Sequence, residues 1–439
     1  MSSDPIRFGS LFALPQKNGL TRPKKVRGSG VPMVNMGELF SHPRIGRLEM
    51  DRVPLSEAES SFLLAPDDLL FARQSLVLAG AGQCSLFQGN EEPTTFESHL
   101  IRCRLDRDLA NSAFYFYFFR SREGREVIEA IVEQGAGASG IRGSDLINVM
   151  VPFPPKAVQD EVASVLTALD DRITVLRETN ATLEAIAQAL FKSWFVDFDP
   201  VRAKQKWLVP VGLDEATAAL FPGGFDDSAL GSIPSGWQVR PIADVVDAVF
   251  DGPHATPPES DDGPVFLGIK NLTGTALDLS EIRHIAEADF AQWTKRATPR
   301  PGDIVFSYEA TLGFFALIPQ GLRCCLGRRL ALIRPQAEQA DGHFWFHQFI
   351  AAPFQRLLAQ HTIQGATVNR IALKHFPSYS VLCPPAGLRA AFDACVAPLW
   401  SRIHANQAQA QTLTAVRDNL LPRLISGQLR LPEAEALAA

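Results

Sequence analysis

The chain has 439 residues, which is enough for two to four domains with well-buried cores. Its hydrophobic content of 46% and charged content of 21% are typical of a globular protein and exclude a disordered or fibrous chain. The net charge of -6 argues against binding nucleic acid through bulk charge, but it is compatible with local basic patches such as Arg22–Arg27.

Neither a secretory signal nor a membrane span is predicted. Residues 1–10 contain no apolar core, and no stretch approaches the roughly 20 apolar residues that cross a bilayer. The six cysteines form no C-x-x-C pair, which favours reduced thiols over a disulfide framework or a zinc site. We therefore expect a cytoplasmic protein without a membrane partner.

The sequence contains one plan twice. A shift of 230 residues aligns QGAGASGI at 134–141 with QGATVNRI at 364–371, and the proline pair at 154–155 with that at 384–385. Small gaps also align APDDLLF (65–71) with RPGDIVF (300–306), SHLIR (98–102) with LALIR (330–334), and GVPMVNMGEL (30–39) with GPVFLGIKNL (263–272). A period of this length indicates a duplicated domain and not a solenoid.

Each half begins with short β-branched and aromatic runs separated by Gly, Pro and Asn, which predicts a strand-rich globule with some helix. Each half then ends in a helical pattern whose apolar positions alternate by four and three residues, as in a heptad seam. The first seam consists of Val162, Leu166, Leu169, Ile173, Leu176, Asn180, Leu183, Ala187, Leu190 and Trp194. The second seam consists of Phe392, Val396, Leu399, Ile403, Asn406, Ala410, Leu413, Arg417, Leu420 and Leu424.

Two such helices most simply bury their stripes on each other, because an exposed seam favours aggregation. Asn180 and Asn406 are polar residues in the seams, and they either fix the register or lie at frayed or partner-facing positions. Pro398 is expected to kink the second helix or delay its start. Between the halves, residues 202–236 are rich in Gly and Pro and predict a mostly irregular connector.

No catalytic or metal site is predicted. Gly80 and Gly82 follow an apolar run, as in the glycine loop of S-adenosylmethionine-dependent methyltransferases, but this short motif alone is a weak signal. An enzyme of that class acting on adenine also needs an Asn/Asp-Pro-Pro-aromatic loop, which the sequence lacks. The phosphate-loop pattern GxxxxGK[ST] does not occur either. We expect a non-catalytic chain.

Five stretches, together with the repeated plan, make nearly the whole chain resemble the specificity subunit of type I restriction–modification systems. They are ALFKSWFVDFDPVRAK (189–204), LFPGGFDDSALGSIPSGWQV (220–239), PGDIVFSYEATLG (301–313), TVNRIALKHF (367–376) and LLPRLISGQLRL (420–431). The first resembles the family's central region at the end of its first helix, and the last resembles the end of its second helix.

The resemblance implies an α/β (α+β) fold with two repeated α/β target-recognition globules, separated by two long antiparallel coiled-coil-like helices. The implied divisions are residues 1–155 for the first target-recognition domain, 156–200 for the first spacer helix, 201–235 for the connector, 236–385 for the second target-recognition domain, 386–430 for the second spacer helix and 431–439 for a flexible tail.

The resemblance also implies a function. Each globule reads one half of a split, asymmetric double-stranded DNA site, and the helices set the spacing. Two copies of an adenine-N6 methyltransferase subunit dock on the helical region and use S-adenosylmethionine, with an ATP- and Mg-dependent motor-nuclease subunit as an optional third partner. The chain itself is expected to bind no cofactor. Phe195, Asp197 and Asp199, at the end of the first helix, are the docking candidates.

Polar residues in loops and at strand ends are the DNA-contact candidates, because Lys and Arg bind phosphates while forked donors and acceptors read base edges. In the first globule they are Lys17, Asn18, Thr21, Arg22, Lys24, Lys25, Arg73, Gln74, Ser139 and Arg142. In the second they are His254, Thr256, Lys270, Asn271, Tyr308, Glu309, Thr311, Arg328, Arg329, Thr367, Asn369 and Arg370. The alternative is that they are ordinary solvated loop residues.

Two other functions stay open at this point. A self-contained methyltransferase would hold S-adenosylmethionine at Gly80 and Gly82, so cofactor binding by the chain alone would favour it. A coiled-coil adaptor that binds only proteins would give no DNA protection even with its partners present.

Overall fold

The computed structural model describes residues 4–135, 138–337, 339, 341–365 and 368–429. The chain divides into two compact units, of which the first comprises Met1–Val175 and Ala410–Ala439 and the second comprises Leu176–Gln409. Each of two long helices therefore begins in one unit and ends in the other. The predicted tail at 431–439 lies outside the described residues.

The first unit combines short strands with helices. Its strands, β1 to β13, are Ile6–Arg7, Phe12–Asn18, Val31–Val34, Arg44–Ile45, Arg52–Val53, Leu69–Ala72, Gln74–Ser75, Cys84–Phe87, Thr95–Phe96, Leu100–Leu105, Glu133–Gly135, Ala138–Gly140 and Met150–Val151. Its helices are α1 (Met36–Ser41), α2 (Ser112–Arg120), α3 (Arg122–Glu129), α4 (Gly143–Leu146) and the start of α5 (Lys156–Phe195).

The second unit contains the end of α5 and its own strands. These strands, β14 to β28, are Phe225–Ser228, Gly231–Pro234, Gln238–Pro241, Val246–Asp251, Ser260–Leu267, Leu272–Thr273, Ala276–Leu277, Arg283–His284, Ile304–Ser307, Phe315–Leu317, Cys324–Leu326, Leu330–Pro335, Thr362–Ile363, Arg370–Ile371 and Ser380–Cys383. Its helices are α6 (Asp199–Gln205), α7 (Glu215–Ala219), α8 (Phe290–Trp293), α9 (Gly342–Ile350), α10 (Ala352–Gln360) and α11 (Ala386–Ile425), which continues into the first unit.

The main sheets of the two units have the same plan. In the first unit the strand order is β2-β10-β6-β8-β4, and in the second it is β17-β25-β22-β23. The central pairs β10–β6 and β25–β22 are both antiparallel. From α2 onward the repeat keeps a constant offset, because α9, like α11, begins and ends 230 residues after its counterpart.

The strand register corrects one alignment made from the sequence. Leu69 pairs with Cys103, and its counterpart Ile304 pairs with Ile333. Arg334 therefore corresponds to Arg104 and not to Arg102. A two-residue shift keeps every side chain of a strand on the same face, so the apolar pattern alone could not distinguish the two alignments.

An ion pair is repeated at the same point of both sheets. Arg104 donates from Nε to Asp68 Oδ1 at 2.7 Å, and Arg334 donates from Nε to Asp303 Oδ1 at 2.9 Å. The side chains of Asp68 and Asp303 are 0% and 4% exposed. Hydrogen bonding to these carboxylates raises the pKa of both guanidinium groups. Such a buried carboxylate needs its partner, because an unpaired charge inside a protein is strongly destabilising.

Each unit buries its own aromatic core. In the first, Phe8 lies 4.8 Å from Phe119, which lies 5.0 Å from Phe71, measured between ring centroids in edge-to-face contacts. In the second, Phe306 stacks on Phe315 at 5.3 Å and on Phe376 at 4.6 Å. These clusters fix the sheets from which the polar loops of each unit project.

The long helices pack through their predicted seams within each unit. In the first unit, Leu166 and Leu169 of α5 share a core with Leu420 of α11. In the second unit, Asn180 contacts Asn406 while Phe191 contacts Phe392, so the two helices run antiparallel there. The seam positions Ile173, Leu176, Trp194 and Ile403 are buried, and Leu183, Leu190, Leu399 and Leu413 are partly buried against these cores.

Two expectations about proline were wrong in detail. Helix α11 begins at Ala386, so Pro398 does not delay its start and lies inside the helix. Asp199 does not lie in an irregular exit, because it begins helix α6 with Pro200 in the first turn. The long helix α5 ends at Phe195, and the chain turns at Phe198, whose φ of 58° is left-handed. A proline in a first turn is compatible with helix because its missing N–H would have no partner there.

The connector is more regular than predicted. It contains α6, α7 and a hairpin that pairs β14 with β15. Asp214 caps α7 by accepting a hydrogen bond from the Thr217 amide at 2.8 Å. Gly- and Pro-rich composition indicated turns correctly but concealed the short elements between them.

Candidate nucleic-acid interface

Three loops of the second unit meet at one place and carry many of the predicted DNA-contact residues. The Tyr308 amide donates to the Arg329 carbonyl at 3.1 Å, and the Ala310 amide donates to the Asn369 carbonyl at 3.0 Å. The Ile371 amide donates to the Tyr308 carbonyl at 2.8 Å. We call the group formed by residues 308–311, 328–329 and 369–370 the Tyr308 cluster. Thr367 lies outside the described residues.

The Tyr308 cluster presents an excess of positive charge. Arg328 and Arg370 are exposed, and neither forms an ion pair among the residues that the structure describes. Arg329 is held at a left-handed φ of 72°, with its Nε 3.8 Å from Glu309 Oε2. That distance is too long for a hydrogen bond, and the buried Nε has no other partner in the described chain. Thr311 and Asn369 are exposed beside these groups. The cluster thus combines phosphate-binding cations with polar groups that can read bases.

Tyr308 supports the cluster from below instead of facing solvent. It is 5% exposed, and its hydroxyl donates to Asp251 Oδ1 at 2.9 Å. Burial, reinforced by this carboxylate, raises the pKa of Tyr308. The other oxygen of Asp251 lies 2.7 Å from His254 Nε2 and 3.3 Å from an Arg296 nitrogen. The prediction of direct DNA contact is therefore corrected for Tyr308, whose hydroxyl positions the carboxylate that holds exposed His254.

Asp251 is a site residue that the sequence analysis missed. It lies at the end of β17 and joins Tyr308, His254 and Arg296. An acid three residues before a histidine was the available signal, but it is common in loops. Thr256, a predicted contact nearby, is exposed.

Asn271 is also corrected as a base-reading residue. It is 3% exposed, and its Oδ1 accepts a hydrogen bond from the Gly268 amide at 3.0 Å. Its Nδ2 donates to the carbonyls of Asp278 and Glu281 at 2.9 and 3.1 Å. The amide is fully used in holding this turn. Neighbouring Lys270 is exposed, with Nζ 3.3 Å from Glu281 Oε2.

The first unit has a matching arrangement after strand β6. The Ile141 amide donates to the Arg73 carbonyl at 2.9 Å, which is the counterpart of the Ile371–Tyr308 hydrogen bond. Ser139 and Gly140 pair with Ser75 and Gln74 in the adjacent ladder. Gln74 is exposed and Ser139 is partly exposed, whereas Arg73 donates to the Ser98 carbonyl at 3.4 Å. We call Arg73, Gln74 and Ser139 the Gln74 cluster. Exposed Arg142 pairs with Glu133 at 2.7 Å beside it.

The basic loop of the first unit separates into structural and free cations. Lys17 donates to Ser61 Oγ at 2.6 Å and lies 3.7 Å from the Phe62 ring centroid. Arg22, with a side chain 17% exposed, pairs with Glu59 at 2.6 Å. Lys24 and Lys25 are exposed and have no ion-pair partner in the described chain, so they are the better phosphate candidates. Asn18 and Thr21 are exposed next to this loop.

The predicted docking residues at the end of α5 are largely unavailable. Phe195 is 3% exposed and lies in the core of the second unit, 5.0 Å from Phe344 between ring centroids. Asp197 pairs with Lys192, and Asp199 accepts a hydrogen bond from Ser193 at 2.7 Å. Aromatic residues close to a helix end therefore indicated packing, and Phe195 is corrected as a surface contact.

The glycine pair that resembles a methyltransferase loop is filled by side chains of the fold. A Cβ at Gly80 would meet Ser75 Oγ at 2.2 Å, and one at Gly82 would meet Ile128 Cγ2 at 2.4 Å. These glycines therefore permit close packing, which argues against a cofactor cradle at this point. The described residues contain no group of three His, Cys, Asp or Glu side chains able to hold a metal ion.

His343 and His347 are one turn apart on α9, but their contacts are internal. His343 Nδ1 lies 3.2 Å from Asp393 Oδ2, and His347 Nδ1 lies 2.7 Å from the His343 carbonyl. His347 is 1% exposed, and burial lowers its pKa to about 3. This pair is a part of the core. No helix in the described ranges has the length and apolarity to cross a membrane.

Comparisons with known proteins agree with the resemblance seen in the sequence. A family model described as the type I restriction modification DNA specificity domain matches residues 6–185. The chain is 24% identical to the type I restriction enzyme MjaIX specificity subunit of Methanocaldococcus jannaschii, over 94% of this chain and 90% of that protein. It is 22% identical to the type I restriction enzyme HindI specificity subunit of Haemophilus influenzae, over 91% of this chain and 94% of that protein.

A solved structure shares the fold. The crystal structure of a type I restriction–modification system S subunit from M. genitalium matches with a TM-score of 0.58 and 15% identity, covering 96% of this chain and 95% of that one. The predicted mixed α/β class with two globular units and long helices is thereby confirmed.

Proposed function

The chain belongs to the family of type I restriction–modification specificity subunits, and we propose that it reads a bipartite, asymmetric DNA site, one half with each unit. The observation that carries this proposal is the repeated hydrogen bond from Ile141 to Arg73 and from Ile371 to Tyr308. It supports the same loop arrangement in both units, so each unit can offer one set of polar side chains to one half-site.

The two sets of side chains differ, which favours an asymmetric site. Where the first unit has Gln74, the second has Glu309, and Ser139 corresponds to Asn369. An amide can bind adenine through its N6 and N7 atoms, whereas a carboxylate accepts from the N4 amino group of cytosine. The duplicated scaffold therefore supports two different half-sites.

We propose that the paired helices set the distance between the half-sites. Their buried seams and the hydrogen-bonded asparagines give them a defined register within the second unit. Removing one heptad from each helix at facing positions shortens the pair by about 10 Å, or about three base pairs of DNA. Footprints with unchanged half-site spacing after that deletion would sink this part of the proposal.

The chemistry belongs to partners in this proposal. Two adenine-N6 methyltransferase subunits bring S-adenosylmethionine, and a motor-nuclease subunit brings ATP and Mg where one is present. The specificity chain has no catalytic role and works with them in the cytoplasm. The filled positions at Gly80 and Gly82 support the division of labour, since they argue against a cofactor cradle on this chain.

The decisive test separates the half-sites. The complex of the chain with its methyltransferase subunit is bound to DNA libraries randomised in each half-site. Gln74→Ala should relax specificity in one half and Glu309→Ala in the other, by about 1–3 kcal/mol at the base affected. Glu126→Ala, which changes an exposed carboxylate on α3, is the control and should change neither half. Effects of both reader variants on the same half-site would contradict the assignment.

A further inference from the structure

The connector carries an exposed apolar segment that the fold does not use. The side chains of Trp207, Leu208, Val209 and Val211 are 96%, 61%, 82% and 100% exposed. Between them, Pro210 is buried, and Leu213 packs against the core of the second unit. The segment is therefore anchored at two points while its large side chains face solvent. Contiguous exposed apolar groups are typical of interaction sites.

Trp207 is held in a conformation that does not suit it. Its φ of 59° is left-handed, and it follows helix α6 as the residue that ends a Schellman motif. The Trp207 amide donates to the Lys204 carbonyl at 2.9 Å, and the Leu208 amide donates to the Ala203 carbonyl at 2.9 Å. Glycine is the usual residue at this position, because a Cβ is strained there. Within the described chain, the indole ring makes no aromatic contact that would offset this strain.

A local rule broken without compensation inside the fold indicates a role outside it. The turn of the Schellman motif fixes the direction in which the indole projects. Next to it lies an open cavity of about 820 Å³, lined by Lys204, Trp207, Val209 and Gly223. Lys204 donates to the Phe221 carbonyl at 2.6 Å, so its ammonium group is occupied. Lys206 is exposed and has no ion-pair partner among the described residues.

We propose that Trp207–Val211 is a docking segment for the methyltransferase subunit, whose complementary surface is an apolar groove with carboxylates at its rim. This inference rests on the proposed function. Aromatic side chains buried at the centre of an interface provide much of its binding energy, and Trp207 is already presented in a fixed orientation. The free ammonium group of Lys206 supplies the charge that an acidic rim would pair. The segment replaces the buried Phe195 as the surface contact of this region.

A lipid surface is the less favoured partner. Membrane-surface segments combine many cations with a long apolar face. Here the apolar segment is short, and Asp214 and Glu215 follow it directly, with both carboxylates disfavoured near anionic lipid. A protein groove fits a short, rigid segment with one free cation better.

The test compares matched variants of the full chain. Trp207→Gly removes the indole while keeping the left-handed turn, so the Tm of the chain should stay the same or rise. Its Kd for the purified methyltransferase subunit should weaken at least tenfold. Val209→Ser should weaken binding without changing the turn. Leu230→Ser, at another half-exposed apolar position in the second unit, is the control and should stay within twofold of wild type.

The outcomes are distinct. Failure of the wild-type chain to bind the methyltransferase subunit would overturn the proposed function, and this inference with it. Binding by wild type that Trp207→Gly and Val209→Ser leave within twofold would overturn the docking segment alone. Sedimentation of the chain with phosphatidylcholine–phosphatidylglycerol vesicles, abolished by Trp207→Gly, would replace the protein partner with a membrane.

Discussion

Asn406 donates a hydrogen bond from Nδ2 to Oδ1 of Asn180 at 2.8 Å, across the interface of the two long helices in the second unit. Asn180 in turn donates to the Ile403 carbonyl at 3.1 Å. Asn406 is 1% exposed, so its amide is inside the seam and not at a frayed end. Of the two alternatives for these residues, the structure therefore favours a contact that fixes the helix register.

The asparagine contact should be measurable as a coupling energy. In a double-mutant cycle with Asn180→Ala and Asn406→Ala, we expect the two residues to be coupled by about 1 kcal/mol in the free energy of unfolding. Urea denaturation of the four proteins gives this value. Purely additive effects would contradict a direct hydrogen bond that stabilises the helix pair.

The repeated buried ion pair should matter far more than a surface pair. Asp68→Ala leaves Arg104 without its carboxylate, and we expect a loss of about 3 kcal/mol in the free energy of unfolding. Glu126→Ala breaks the exposed pair with Arg122, whose side chain is 87% exposed, and should lose at most about 0.5 kcal/mol. Equal losses for the two variants, measured by denaturant unfolding, would show that burial of Asp68 has no special role.

His347 should make the chain sensitive to acid. Burial lowers its pKa from 6.5 to about 3, so between those values the unfolded chain binds a proton that the folded chain does not. Stability should therefore fall as the pH falls from 6.5 towards 3, with a loss of about 3 kcal/mol from this group between pH 7 and 4. In His347→Phe, which suits the neighbouring rings of Phe191 and Phe392, the loss between these pH values should shrink by that amount. Parallel stability–pH curves for the two proteins would be inconsistent with this assignment.

Arg328 should contact a phosphate and not a base. It is exposed at the edge of the Tyr308 cluster, without an ion pair among the described residues. We expect Arg328→Ala to weaken DNA binding similarly on all sequences and to reduce the slope of log K against log salt by about 1. Arg122→Ala, which removes an exposed cation on α3, should leave the slope unchanged. A change in sequence preference with an unaltered slope would instead identify Arg328 as a base reader.

The heptad seams show what the sequence could predict. Both helices were predicted to within five residues at their ends, because apolar residues that recur with a period of 3.5 over forty positions fit a packed helix and no strand. Alternation along strands is less informative. It allowed Arg334 to be aligned with Arg102, two residues from its true counterpart Arg104, because such a shift preserves the buried face.

The candidate interface was predicted as a set of loops but not as individual contacts. Asn271, Tyr308 and Arg22 are polar residues in the expected loops, yet their side chains are used by hydrogen bonds within the fold. Residue type and loop position are the same for such residues as for exposed Arg328 and Gln74. Only the positions of their partners, which come from distant parts of the chain, distinguish a supporting residue from one that can face DNA.

Mapping of N6-methyladenine in DNA from cells that co-express the chain with its methyltransferase subunit tests the central claim most directly. The account predicts methylation at one asymmetric motif made of two defined half-sites separated by a fixed number of unspecified base pairs. Gln74→Ala and Glu309→Ala should each relax a different half of that motif. Methylation of a continuous or symmetric site, or methylation that is the same without the chain, would contradict the account.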